Sequence, residues 1–353
     1  MAASEHAGSL EGLDLGRLAD FLRGEGVPVA GPLDGRLLSG GKSNLTFSVT
    51  DGEHRWVVRR PPVGDILPGA HNMAREHHVM SALAGSAVPV PRTISLCEDP
   101  GPIGTQFYVM EQLTGSVVRT RDDAAMLSPD QRRALGHELV DVLASIHNLD
   151  YTEVGLGDLG RPSGYLERQL GRWAAQLDRV KTRDHTEVGV ITDVLGRTMP
   201  QSRSASLVHG DYRLDNVMVS AADPTRIEAV LDWELATLGD PMTDLAALVM
   251  FWDEPGTPFN PITRGLMAFE GFPTRAEVIE RYASVRGGEV GDLDWYLVFS
   301  EFKLAVILEQ INARHLRGET RGEGFEGVDE MVVDVFRSAR VRIEEVPRLR
   351  AAI

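Results

Sequence analysis

Cysteine is almost absent from this chain, with Cys97 the only one in 353 residues. An internal disulfide is therefore excluded, and so is a cysteine-built metal cluster. Within "PRTISLCED" the residue reads as a small buried strand side chain. Lysine is nearly as scarce: it stands only at positions 42, 181 and 303, so almost all positive charge is arginine. Positive charge as a whole falls short, because 36 Lys and Arg against 52 Asp and Glu leave a net charge of −16. That balance argues against nucleic acid as a partner, since binding it depends on neutralising phosphates. It would suit a cationic substrate but locates no site. No run of eighteen apolar residues occurs, so no helical membrane span is predicted. The first residues, "MAASEHAGSLEGLDLG", have neither a basic nor an apolar region of the signal-peptide kind, and a cytoplasmic protein is expected. Internal repeats and low-complexity tracts are also missing.

What is present is an ordinary folding composition, 42% apolar and 25% charged, on a chain long enough for two lobes. A helix is expected near Leu13–Arg23. Three short β-rich runs follow, "GRLLSG", "LTFSVT" and "RWVVRR", separated by the turn signals "SGGKSN" and "TDGEH". "HNMAREHHVMSALAG" carries Met73, Met80 and Ala84 at helical spacing, with Gly85 as its stop. "RTISLCE" and "TQFYVMEQL" read as two more strands. Beyond them helices dominate. Ser128, Pro129 and Gln131 make a capping-box start, and Leu135, Leu139, Val142 and Ile146 then mark one buried face. Further helices are expected around 164–181, 186–197, 240–252, 274–286, 292–315 and 328–343, with short strands at "NVMV" and "RIEAVLDW". The pattern predicts an α+β chain. A β-rich N-terminal lobe spans 1–113 and a larger, mainly helical lobe spans 114–353.

Early in the second lobe lies "LVHGDYRLDNVMV", 207–219, where charged and amide side chains crowd between apolar flanks. His209, Asp211 and Asn216 stand at the spacing H-x-D-x-x-x-x-N of a phosphoryl-transfer catalytic loop. In that chemistry the Asp accepts or orients the proton of the attacking hydroxyl and the Asn ligates Mg²⁺, a hard cation that prefers oxygen donors. Sixteen residues after Asn216, Asp232 follows an apolar strand, where a second metal ligand is needed. The two motifs in this order are much more specific than either alone. His209 reads as a packing and hydrogen-bonding residue of the loop. Arg213 fits either a cation steadying the transferring phosphoryl group or the partner of a neighbouring carboxylate. Asp244, opening the apolar run "DLAALVMFW", reads as an N-cap or a tie to the catalytic loop.

With these residues the chain resembles the aminoglycoside phosphotransferase/choline kinase-like family, which has the two-lobed protein-kinase architecture. The carriers are "HGDYRLDN", Asp232-Trp233-Glu234, Gly239-Asp240-Pro241 and Asp244-Leu245-Ala246. "GFPTRAEVIERYA" and "LDWYLVFSEFKLAVILEQINARHLRGET" resemble the branch of kinase-like domains associated with acyl-CoA dehydrogenases, whose implied substrates are 4-hydroxyacyl-CoA thioesters. The resemblance implies ATP and Mg²⁺ as cofactors and a small-molecule hydroxyl as acceptor. It casts Asp211 and Arg213 as catalytic, and Asn216 and Asp232 as metal ligands. It places Ser43 and Asn44 in the loop over the ATP phosphates, pairs Glu76 with a basic strand residue, and sets the backbone of Glu111 and Leu113 at the adenine edge. Where the kinase pattern has Lys on the third strand, this chain has Arg59; Lys42 in the preceding loop is the other candidate for that role. Three readings of function stay open: a kinase of hydroxyacyl-CoA type, an aminoglycoside or other amino-alcohol kinase, and a nucleotide-binding pseudokinase that regulates a partner.

Overall fold

The computed structural model describes residues 9–40, 44–62, 72–256, 262–320 and 325–353. They divide into two compact units. The first comprises Met1–Ser116, Val217–Asp223 and Ile227–Ala236, and the second comprises the remainder from Val117 onward.

The first unit opens with the small ribbon β1 (Ser9–Leu10) and β2 (Leu13–Asp14), then helix α1 (Leu15–Gly24), which Asp14 caps by accepting from the Arg17 N–H. Strands β3 (Asp34–Gly40), β4 (Leu45–Thr50) and β5 (Arg55–Arg60) form a meander. After α2 (Met73–Leu83), β6 (Thr93–Cys97) and β7 (Phe107–Glu111) complete an antiparallel sheet of order β3-β4-β5-β7-β6. Alternation along these strands sends Phe47, Val49, Trp56, Val58, Phe107 and Val109 into one core with Leu18 and Leu22 of α1. Each such fully buried side chain contributes roughly 1.5–3 kcal/mol of hydrophobic stabilisation. Cys97 is buried there, as its strand context predicts. The two-residue strand β8 (Gly115–Ser116) ends the segment.

The second unit begins with α3 (Arg121–Ala125) and α4 (Pro129–Asn148). The Ser128/Gln131 capping box is formed, and Leu135, Leu139, Val142 and Ile146 are all buried. Helices α5 (Tyr165–Val180) and α6 (Val188–Arg197) lead to β9 (Ser206–Val208), directly before the catalytic-loop motif. The chain then returns to the first unit as the hairpin β10 (Val217–Ser220) and β11 (Ile227–Val230). This differs from a single cut after residue 113. The reason is strand pairing: β10 continues onto β8, with Val219 opposite Ser116 and Ser220 opposite Gly115. Gly115 is required there, because a Cβ would fall 2.4 Å from the Val219 carbonyl oxygen. Back in the second unit, β12 (Thr237–Gly239) pairs with β9, and α7 (Met242–Met250), α8 (Arg275–Arg286), α9 (Asp294–Leu316), α10 (Val328–Glu345) and α11 (Pro347–Arg350) follow. Helix α9 is buried on nearly every side, as befits the central helix of an all-helical layer. Trp295, Tyr296, Phe299 and Phe302 are core residues of it, with Trp295 and Phe299 stacked at 5.4 Å. No helix among the described residues is long and apolar enough to cross a membrane.

Candidate active site

In the second unit the loop 209–216 is held from below by one carboxylate. Asp244, in the first turn of α7, accepts the backbone N–H of His209 at 2.6 Å and of Gly210 at 2.9 Å. It also accepts from His147 Nε2 at 3.3 Å, while the Tyr282 hydroxyl donates to His147 Nδ1 at 2.7 Å. Burial alone would raise the Asp244 carboxyl, but these hydrogen bonds outweigh it and hold the group below the usual carboxylate range. Burial has the opposite result for His147 and lowers it, which keeps the ring neutral. Of the two roles open to Asp244, the tie to the loop is the one formed. Gly210 adopts φ +88°, a conformation that suits glycine and lets both N–H groups point at one carboxylate.

Asp211 sits above this anchor. Its carboxylate accepts from Asn216 Nδ2 at 2.9 Å, and the same amide donates to the Asp211 carbonyl at 2.8 Å. A single 3-10 turn, Leu214–Asn216, makes the five-residue spacing into a contact. Arg213 faces carboxylates, with Nε 3.3 Å from Asp211 and Nη1 3.2 Å from Asp215, and its guanidinium stacks over Phe251. Burial raises the Asp215 carboxyl, with Arg213 opposing. Behind the loop, Tyr212 donates to the Leu139 carbonyl, and His209 is fully buried with its ring edge-on to Tyr212. One further group was not expected from the motif. Lys303 of α9 donates its ammonium to the Gly210 carbonyl at 2.7 Å and lies over the Trp173 ring, which Arg172 also covers. Its only trace in the sequence is rarity, as one of three lysines.

The first unit gathers a second constellation. Arg59 on β5 places Nε 3.1 Å from Glu76 on α2 and Nη2 2.5 Å from Asp232. Tyr108, opposite Arg59 across the β5–β7 pair, hydrogen-bonds the Glu76 carboxylate. Glu76 is 1% exposed, and burial pushes its carboxyl up to about 7 against the pull of Arg59. Asp232 follows β11 in the left-handed region, φ 66° and ψ 59°, a costly conformation for a residue other than glycine and one that concentrates at functional sites. The turn Trp233–Leu235 fixes it, with Trp233 buried and donating to the Val230 carbonyl. Arg75 clips α2 to the same segment by donating to the Ala236 carbonyl at 2.6 Å. Asn44 is buried and donates to Glu234 at 3.1 Å. Register could have singled out Tyr108, but nothing in the sequence marks Glu234 as a partner of Asn44.

At the end of β7 the Glu111 N–H donates to the Arg92 carbonyl and its carboxylate accepts the Arg92 N–H at 2.7 Å; Leu113 follows, half-buried, before β8. Ser43 and Lys42 lie outside the described residues. Three carboxylates, Glu76, Asp232 and Glu234, surround the single guanidinium of Arg59. This excess of hard oxygen donors suits a divalent cation. Among the described residues no three His, Cys, Asp or Glu side chains form a ready-made metal cage.

A model of the phosphotransferase enzyme family matches residues 34–278. A chicken (Gallus gallus) protein named acyl-CoA dehydrogenase family member 11 is 36% identical over 312 residues, covering 86% of this chain and 39% of its own length. Mouse (Mus musculus) acyl-CoA dehydrogenase family member 10 is 34% identical over 310 residues, covering 86% of this chain and 28% of its own length. The chain thus spans well under half of these relatives. Among solved structures, one from Ralstonia eutropha, described as a candidate aminoglycoside phosphotransferase, superimposes with a TM-score of 0.82 at 34% identity. It covers 94% of this chain and 98% of that one. A ternary complex of aminoglycoside phosphotransferase APH(4)-Ia with AMP-PNP and hygromycin B aligns at 16% identity and a TM-score of 0.58, covering 95% and 98%, which shows a shared kinase-like α+β fold. The chain belongs to the phosphotransferase enzyme family.

Proposed function

We propose that the protein is an ATP- and Mg²⁺-dependent kinase whose acceptor is a small hydroxylated molecule of the acyl-CoA thioester class. The observation that carries the reaction is the catalytic loop: Asp211 beside Asn216, on a loop anchored at two backbone N–H groups by Asp244. In this reading Asp211 takes up or orients the proton of the attacking hydroxyl, and Arg213 holds its carboxylate in place. Asn216 and Asp232 are the metal donors. Support for their shared role is covalent: Asn216 directly precedes β10, Asp232 closely follows β11, and antiparallel pairing puts Val217 opposite Val230. Mg²⁺ there would neutralise charge on the β- and γ-phosphates. Arg59, fixed by Glu76, would orient those phosphates, Ser43 and Asn44 belong to the loop over them, and the backbone at Glu111 and Leu113 would meet the adenine. Positioning and electrostatic stabilisation then supply most of the rate.

Two observations favour a thioester over an amino-alcohol acceptor. The relatives that match most of the chain carry acyl-CoA dehydrogenase names. The catalytic loop also carries a cation behind it: Lys303, at Gly210, together with Arg172 around Trp173, disfavours a polyamine next to Asp211. Viomycin phosphotransferase of Streptomyces vinaceus, 25% identical over 256 residues, covering 68% of this chain and 79% of its own length, keeps an amine-bearing acceptor as the second reading. The test is transfer of labelled γ-phosphate from Mg-ATP to 4-hydroxyacyl-CoAs, aminoglycosides, choline and homoserine, with Asp211→Asn as control. Label on the thioesters alone, lost in the variant, is expected. Label on an aminoglycoside alone would replace the first reading by the second. ATP binding with no transfer to any acceptor would leave the pseudokinase reading in front.

A further inference from the structure

A cleft of about 540 Å³ opens in the second unit, between the loop before β9, the start of α7, the α8–α9 connection and α11. No residue of the catalytic loop 209–216 lines it. Its floor is buried: Asp240, Tyr282 and Tyr296. The Asp240 carboxylate is fully engaged, accepting from the Met242 N–H at 3.0 Å, the Ser202 hydroxyl at 2.7 Å and the Tyr296 hydroxyl at 2.8 Å. The Tyr282 hydroxyl is shared between His147, at 2.7 Å, and Arg286. Of the cleft's three arginines, Arg348 is paired with Asp292 at 2.7 Å. The other two have no carboxylate partner among the described residues. Arg286 is held by neutral groups, Asn148 Oδ1 at 2.5 Å and the hydroxyls of Ser206 at 3.2 Å, Ser204 at 3.4 Å and Tyr282. Arg203 lies along the backbone of Gly291, where a Cβ would come within 3.3 Å of its guanidinium. The one remaining carboxylate of the lining, Glu289, is exposed at the rim.

Two guanidiniums left without carboxylates are unexpected on a chain of net charge −16. Their planar N–H forks match phosphate and carboxylate oxygens, and the Gly-rich connection 287–291 lets backbone approach closely. A volume in the range of small-molecule sites leaves room for more than an anion, and the rings of Tyr282 and Tyr296 with Pro241 and Met242 offer apolar surface to the rest. We propose that this cleft binds a small molecule carrying a phosphate or carboxylate group on an apolar or aromatic body, gripped by Arg203 and Arg286 at a place separate from the catalytic loop.

Calorimetric titration of the full chain with phenyl phosphate and, separately, with benzene-1,3-dicarboxylate tests this. One of them should bind saturably, one per chain, at millimolar concentrations. Tighter binding of the first identifies a phosphate ester as the natural class, and tighter binding of the second a polycarboxylate. Arg286→Met should weaken binding about tenfold or more through loss of a charge-assisted pair. Arg203→Ser, on an exposed loop where folding is not at risk, should weaken it as well, while Arg59→Met should leave it unchanged. The proposal is overturned if neither probe binds saturably, if both arginine variants bind like the parent, or if Arg59→Met abolishes binding.

Discussion

Replacing Lys303 by Met should separate positioning from folding, because the two effects have different signs. The ammonium is buried and donates to the Gly210 carbonyl at 2.7 Å. Burial works against its charge and lowers its pKa, with Asp211 opposing. Met has nearly the same length and no charge, so the substitution removes that desolvation cost. It also leaves the carbonyl short of a donor, at about 1–3 kcal/mol. These terms offset, and the melting temperature should move by no more than a few degrees. Catalysis has no such offset. A charged hydrogen bond is worth about 1.5–3 kcal/mol; if it holds the Gly210–Asp211 backbone at the attacking position, kcat should fall about 10- to 150-fold at 1.36 kcal/mol per decade. Lys303→Arg should recover part of the loss, since it keeps the donor. The assay is γ-phosphate transfer at saturating ATP, set beside calorimetric melting. A kcat within about twofold of the parent would refute the positioning role. So would a kcat loss matched by a melting temperature lowered by roughly 10 °C or more, which would mark Lys303 as structural.

Asp211→Asn should lower kcat by about a hundred- to ten-thousand-fold, the range for losing a general base, with nucleotide affinity unchanged by calorimetry. Retention of half the activity would remove Asp211 from its role. Arg59 holds Glu76 and Asp232 through different nitrogens, which a single ammonium cannot copy. Arg59→Lys should therefore raise KM for ATP more than it lowers kcat, and Arg59→Met should cost up to about 3 kcal/mol in urea unfolding by leaving Glu76 buried and unpaired. An unchanged urea midpoint in the Met variant would contradict the pairing. His147 gives a pH signature. Its folded pKa lies below the ordinary 6.5, chiefly through burial, with Asp244 and Asp240 opposing and Arg286 adding to the shift. The unfolded chain thus takes up the proton more readily, so this contribution to stability is complete above pH 6.5 and is lost as pH falls below it. The slope approaches about 1.4 kcal/mol per pH unit for one proton. His147→Gln should flatten the fall in melting temperature between about pH 6.5 and 5, and identical profiles would show that His147 is not buried neutral.

What the sequence made legible follows from range. Strands such as Leu45–Thr50 and Arg55–Arg60 announce themselves because side-chain alternation and flanking turns are local, and the Ser128 box because its two partners sit three residues apart. The catalytic loop is legible for the same reason: one 3-10 turn brings Asn216 to Asp211, so spacing alone encodes the contact. Strands β9 and β12, three residues each, are too short to show a period of two and exist through each other. The supporting shell is farther still from any local signal. Asp244 reaches the loop across 34 residues and Lys303 across 93, and no periodicity records either approach. Arg213 is the local exception, since the two carboxylates it meets, Asp211 and Asp215, stand two residues to either side of it. Residue type at short spacing therefore specifies the reacting groups, while distant residues supply the geometry that makes them reactive. That division explains why chemistry can be read from thirteen residues and acceptor choice cannot. Asp211 and Asn216 meet across five residues of sequence, whereas Arg172 and Lys303, the cations around Trp173 behind the loop, stand on helices far apart in the chain.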